Sequence, residues 1–254
     1  MPFLIISSNR LEYARFDSGV NASNTIVMLH EGLGSVSLWK DFPEQLAQAT
    51  RSNVIVYSRA GYGRSSPIKE PRAVGYMHDE ALVVLPRILD MLEVERPVLF
   101  GHSDGGSIAL ICAGGSGRPV AGVVALAPHV FVEDLSVRNI AAAKTAYETT
   151  NLLSKLARHH DDVDGVFWGW NNIWLSADFR SWNIEEYLPG IACPVLAIQG
   201  EEDEYGTMEQ IRRIERGARG VTTLCLADCR HSPHRDQPQQ VLDAVGRWLA
   251  TVTV

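Results

Sequence analysis

Short apolar runs, separated by glycine- or proline-marked breaks and by longer amphipathic stretches, set the rhythm of this chain. Thr25 to His30 (TIVMLH), Asn53 to Tyr57 (NVIVY), Val98 to Phe100, Val120 to Ala127 (VAGVVALA) and Pro194 to Gln199 (PVLAIQ) are apolar on consecutive positions rather than alternate ones. Strands read this way when both faces are covered, as in a parallel sheet. Val221 to Leu226 predicts a further strand, and residues 3–7 and 11–16 predict two more about a turn at Ser8 and Asn9. Helices are predicted from a cap at Ser37 to about Ala49, from about Tyr76 to Leu92, over Gly106 to Ala113, and from about Pro238 to Ala250. Strands alternating with helices argue for an α/β fold: a mostly parallel sheet of about eight strands with helices on both faces.

The alternation stops between residues 130 and 189. This segment predicts helices and no strong strand, and it holds Trp168, Trp170, Trp174 and Trp182 together with Phe167 and Phe179. The expected organisation is a core of residues 1–129 and 190–254 interrupted by a helical cap over 130–189. An insertion where strand C-termini open is well placed to act as a lid. Trp168, Trp170 and Trp174, with Leu33, are the candidates for an apolar pocket. The same aromatics would serve equally well as anchors packing the insertion onto the body.

Composition narrows the partners. A net charge of −7 argues against nucleic acid. No apolar run approaches the roughly 18 residues of a membrane span. The N-terminal FLII lacks a basic flank and reads as a strand, not a signal peptide. Cys112 and Cys193 lie in apolar segments and predict buried free thiols; Cys225 and Cys229 have the spacing of neither a zinc site nor a redox pair. These features predict a reduced, cytoplasmic protein with a small-molecule substrate and leave homo-oligomerisation open.

The candidate chemistry centres on Gly101-His102-Ser103-Asp104-Gly105, between a strand and a helix. Gly-x-Ser-x-Gly in that setting predicts a nucleophile elbow. The turn strains the serine backbone, and side chains at positions 101 and 105 would collide with the neighbouring strand and helix. The result is a hydroxyl at a helix N-terminus, where a developing anion is favoured. An oxyanion hole needs two backbone donors. The amide of Asp104 is one, and the loop His30-Glu31-Gly32-Leu33-Gly34-Ser35 supplies the other, with Gly32 first and Leu33 next. Neutral serine also needs a base held by an acid. Four acids, Glu201 to Glu204 including Asp203, follow one strand, and His231 and His234 follow the next. Of the other histidines, His30 is expected to shape the loop after its strand and His102 to lie buried in the elbow. His78, His129, His159 and His160 are assigned surface or packing roles.

Together with Ala60 to Ser65 (AGYGRS), these segments make the chain resemble the α/β-hydrolase fold superfamily, in its branch of serine esterases, lactonases and C–C hydrolases with a helical cap. The resemblance selects Asp203, three residues past Gly200, as the acid, and His231 as the base, with His234 the alternative. The order Ser103, Asp203, His231 is that of the α/β-hydrolases. Two positions depart from the pattern. Glu31 stands where the family usually has glycine, and Ser58 stands where it often has aspartate.

What the resemblance implies is a serine hydrolase, without cofactor or metal, cleaving an ester, thioester or lactone of a small, partly apolar acid. Ser103 argues against the dehalogenases and epoxide hydrolases of this fold, whose nucleophile is an aspartate. C–C bond hydrolysis of a vinylogous diketone is the alternative. It would call on a cation such as Arg138, Lys144, Lys155 or Arg158 to hold a dienoate carboxylate. A non-catalytic ligand receptor is the third reading.

Overall fold

The computed structural model describes residues 2–19, 22, 24–68 and 71–252. Eight strands form one sheet: β1 (Phe3–Ile6), β2 (Asn9–Phe16), β3 (Thr25–Leu29), β4 (Asn53–Tyr57), β5 (Val98–His102), β6 (Gly122–Leu126), β7 (Val195–Gly200) and β8 (Val221–Leu226). Their spatial order is β1-β2-β4-β3-β5-β6-β7-β8. The first hairpin is antiparallel to its neighbours, with its turn at Ser7 and Ser8, and β4 to β8 with β3 run parallel.

The unbroken apolar runs now have a cause. Each central strand sends alternate side chains into two separate cores. Val27, Leu29, Ile55, Leu99, Val123, Ala125, Val195 and Ala197 point to one face. Ile26, Met28, Val54, Val56, Phe100, Val124, Leu126, Leu196 and Ile198 point to the other. Helices α1 (Phe42–Thr50) and α10 (Pro238–Leu249) cover the second face. The first face carries α2 (Tyr76–Asp79), which continues through a π-turn over Glu80–Val84 into α3 (Leu85–Met91), and α4 (Asp104–Gly115). The single long helix predicted from Tyr76 thus contains a local unwinding. Buried Glu80 begins it, with its carboxylate accepting from the Tyr57 hydroxyl at 2.6 Å.

Between β6 and β7 lie α5 (Asp134–Thr149), α6 (Leu152–Leu156) and α7 (Val163–Leu175), followed by two 3₁₀ turns, Asp178–Ser181 and Glu185–Gly190. The chain ends with α8 (Glu209–Gly217) before β8, the short α9 (Pro233–Asp236) and α10. Among the described residues no helix is long and apolar enough to cross a membrane.

Parallel pairing fixes where chemistry can gather. In a parallel sheet every C-terminal strand end opens on one edge, which is where such sheets bind ligands. The loops after β3, β5, β6, β7 and β8 therefore meet there, bringing residues 30–35, 103, 129, 203 and 231 together from distant parts of the chain.

The second core is the mechanical base of this edge. Phe100 is fully buried there, its ring 6.0 Å from Trp39 and 5.8 Å from Phe42. Phe100→Ala should lower unfolding stability by about 3–5 kcal/mol, read from urea denaturation.

Candidate active site

Ser103 sits at φ 53°, ψ −118°, between the end of β5 and the first turn of α4. The left-handed φ is costly for a residue with a Cβ and persists only where the surroundings impose it. Two close approaches do so here. A methyl at Gly101 would overlap the backbone of Gly105, and one at Gly105 would overlap the carbonyl of Leu29 on β3. The Ser103 amide donates to Leu126 O at 2.9 Å, pinning the turn to β6.

The hydroxyl of Ser103 lies 3.0 Å from His231 Nε2. His231 Nδ1 lies 2.8 Å and 3.0 Å from the two oxygens of Asp203. The buried carboxylate also accepts from the amides of Tyr205 (2.8 Å) and Gly206 (3.1 Å) and from Gln199 Nε2 (2.9 Å). Burial alone would raise the Asp203 pKa, but His231 and the Tyr205 amide outweigh it and hold the carboxyl below its ordinary value. An ionised Asp203 accepts from Nδ1–H, which leaves Nε2 free to accept the serine proton. Burial would lower the pKa of His231, and the Asp203 carboxylate reverses that, so the imidazole titrates above the ordinary 6.5.

The alternatives at both positions sort themselves by contact. Glu201 and Glu202 are exposed, and Glu204 accepts from the His231 amide at 3.1 Å. His234 is buried against Trp39, Phe42 and His102, with neither ring nitrogen hydrogen-bonded; burial keeps it neutral.

Above Ser103 lies a cavity of about 250 Å³. Among the described residues the amides of Gly32 and Leu33 have no hydrogen-bond partner, and Asp104 N opens α4 directly beside the serine. The loop that carries Gly32 is held on several sides. His30 accepts from the Arg59 amide (3.1 Å) and donates from Nδ1 to Glu31 O (2.7 Å). His160, from the segment between β6 and β7, accepts from the Gly63 amide (2.9 Å) and donates to Leu33 O (3.0 Å).

The two departures from the family pattern find local partners. The Glu31 side chain turns toward His102 Nδ1 (3.5 Å) and Arg235 Nη2 (3.4 Å). Burial would raise its pKa, but His102 and Arg235 outweigh it and hold it well below the usual carboxylate range. At Ser58, the missing carboxylate comes from β2. Buried Glu12 accepts from Ser58 Oγ (3.0 Å) and the Arg64 amide (2.8 Å), while Ser58 Oγ accepts from the Val36 amide (2.9 Å).

The structure corrects two expectations and narrows a third. Trp170 and Trp174 line the cavity with Leu33, Ile140, Leu152 and Leu156, but Trp168 does not. Trp168 packs edge-on against Phe167 and Tyr147 and faces an outer groove. Helical spacing explains this, because position 168 points away from the face shared by 170 and 174. His129, expected to be surface or packing, forms part of the cavity wall, 5.8 Å from the His231 ring and 5.0 Å from Trp174. Burial and the neighbouring His231 hold its pKa down to about 3, so it stays neutral. Its place just after β6, at the shared strand edge, was the signal available in the sequence. His160 proves to be a buried brace of the Gly32 loop.

A sheet of this order with a strained serine elbow at its parallel edge defines a hydrolase-type α/β architecture. The chain belongs to the alpha/beta hydrolase family, whose profile matches residues 26–244. It is 31% identical over 103 residues, 40% of this chain and 36% of the other, to a putative carbamate hydrolase of Caulobacter sp. (strain K31). It is 29% identical over 139 residues, 55% of this chain and 38% of the other, to an sn-1-specific diacylglycerol lipase of Danio rerio. The matches thus span only about a third of these relatives' length. The fold is shared with the enol-lactonase of Burkholderia xenovorans LB400, at a TM-score of 0.78 and 19% identity, covering 98% of this chain and 100% of that one.

Because Asp203 is what lifts the His231 imidazole, its removal should be visible in titration. NMR of ¹³C-labelled imidazole should place the His231 midpoint above 6.5 in the parent protein and lower in Asp203→Asn.

Proposed function

We propose that this protein is a serine hydrolase that cleaves ester, thioester or lactone bonds of small, partly apolar substrates through an acyl-enzyme. The observation that carries the reading is the unbroken hydrogen-bond chain Asp203–His231–Ser103, ending at the floor of a cavity flanked by unpartnered loop amides.

In this reading the Ser103 oxygen attacks the acyl carbon while its proton passes to His231 Nε2. The oxygen of the tetrahedral adduct takes hydrogen bonds from the amides of Asp104 and Gly32. Collapse expels the alcohol or thiol, which takes its proton from His231. Water then repeats the sequence and frees the acid. Glu31 does not compete for the adduct, because its carboxylate is turned to His102 and Arg235. The helical segment 130–189 acts as the cap. Its α5, α6 and α7 contribute Ile140, Leu152, Leu156, Trp170 and Trp174 to the cavity wall. About 250 Å³ is below the usual 300–1,000 Å³ of drug-sized sites, which favours a short acyl group. Four free cysteines are compatible with a cytoplasmic location.

The C–C hydrolase reading loses its support, because Arg138, Lys144, Lys155 and Arg158 all lie outside the cavity lining. The cation that does line it, Arg235, already faces Glu31.

Steady-state hydrolysis of p-nitrophenyl acetate or butyrate tests the proposal. Ser103→Ala and His231→Ala should each reduce turnover by about 10⁴-fold or more, and His234→Ala by far less. Intact-mass spectrometry should show a fluorophosphonate adduct on the parent protein that Ser103→Ala abolishes. Undiminished hydrolysis by Ser103→Ala would refute the assignment.

A further inference from the structure

The wall of the cavity contains one donor whose position is set by the Gly32 loop itself. Trp170 lies on α7 with its pyrrole edge packed directly over Gly32. A methyl at Gly32 would overlap Trp170 Cδ1 and Nε1 and lie 3.2 Å from Cε2. The indole N–H is therefore fixed beside the loop whose amide serves the oxyanion in the proposed mechanism. The cap side chains that share the cavity wall with it, Ile140, Leu152 and Leu156, are apolar and offer no acceptor.

The other tryptophan of the cavity wall is already paired. Trp174 donates its N–H to the Tyr76 hydroxyl at 3.2 Å, and that hydroxyl donates to Asp104 at 2.6 Å. Trp39 and Trp182 have N–H groups sealed in the interior. The Trp170 N–H has no hydrogen-bond partner among the described residues, yet it is not sealed: the side chain is part of the cavity lining. A donor in an apolar wall loses its water when a ligand fills the space. If the ligand offers no acceptor there, the full desolvation cost of the donor remains. Such sites reject the analogue that lacks the matching atom.

We propose that Trp170 is a specificity-determining residue whose indole N–H donates to an acceptor oxygen on the acyl part of the substrate, close to the reacting carbonyl. The preferred acyl group is thus short and oxygen-bearing, such as an alkoxy- or oxo-acyl, rather than a plain alkanoyl. This rests on the serine-hydrolase reading, which says where the acyl group lies.

The test compares p-nitrophenyl methoxyacetate with p-nitrophenyl butyrate, which differ by one oxygen in place of a methylene. Their difference in intrinsic reactivity cancels when the ratio of kcat/KM values is compared between proteins. Trp170→Phe should lower the methoxyacetate-to-butyrate ratio 3- to 10-fold. Placing β-(3-benzothienyl)alanine at position 170, which replaces N–H by sulfur in the same ring outline, should do the same and guards against a packing defect in the phenylalanine variant. An unchanged ratio in the benzothienyl protein overturns the proposal, as does an equal loss on both esters.

Binding of free methoxyacetate and butyrate by ligand-observed NMR gives the same ratio without turnover, with Ser103→Ala as host. A preference for methoxyacetate that vanishes without the indole N–H supports Trp170 even if neither ester is hydrolysed, an outcome that would instead sink the hydrolase reading. Equal binding of both acids overturns the role of Trp170.

Discussion

The whole arrangement depends on a backbone turn that could not exist without two missing side chains. Ser103 holds a left-handed φ because Gly101 and Gly105 let β5, α4 and the end of β3 approach within the space a Cβ would occupy. That approach puts the hydroxyl at the N-terminus of α4, and it fixes the distance between the serine and the loop after β3. Strain at this residue is balanced by the packing of a sheet with two buried faces, which is why the turn sits in the centre of the molecule rather than at its rim.

Around that turn, polar groups hold loops that apolar packing cannot. Loops at a sheet edge have backbone donors and acceptors that need partners. His30 and Arg59 hold the first part of the 30–35 loop, and His160 reaches from the segment between β6 and β7 to hold Leu33. Glu12 plays the same part for the AGYGRS loop, through Ser58 and the Arg64 amide. The helical segment is therefore tied to the C-terminal edge of the sheet by hydrogen bonds as well as by its aromatic face.

The cavity reflects this division. Its floor is polar and belongs to the sheet edge: Ser103, His129, His231 and the loop amides. Its roof is apolar and comes from α5, α6 and α7. The indole N–H of Trp170 is the exception in the roof, and it meets the floor over Gly32. In the proposed chemistry the floor supplies reactivity and the roof decides which acyl groups reach it.

Local sequence was enough for the strands, the elbow and the choice of serine, because each rests on neighbours in the chain: consecutive apolar residues and glycines flanking Ser103. The candidate acid and base needed more. Four adjacent acids and two nearby histidines look alike in sequence, and resemblance pointed to Asp203 and His231; in the fold Asp203 meets the His231 ring where Glu204 meets only its backbone amide, and the His231 ring, not that of His234, reaches Ser103. Tertiary structure alone decided what residues do when their partners lie far along the chain. His129 became cavity wall, His160 a brace, Glu12 a substitute carboxylate, and Trp168 left the cavity while Trp170 entered it. The reason is physical: periodicity records whether a side chain is buried, whereas the identity of what it is buried against is set by how separate elements pack.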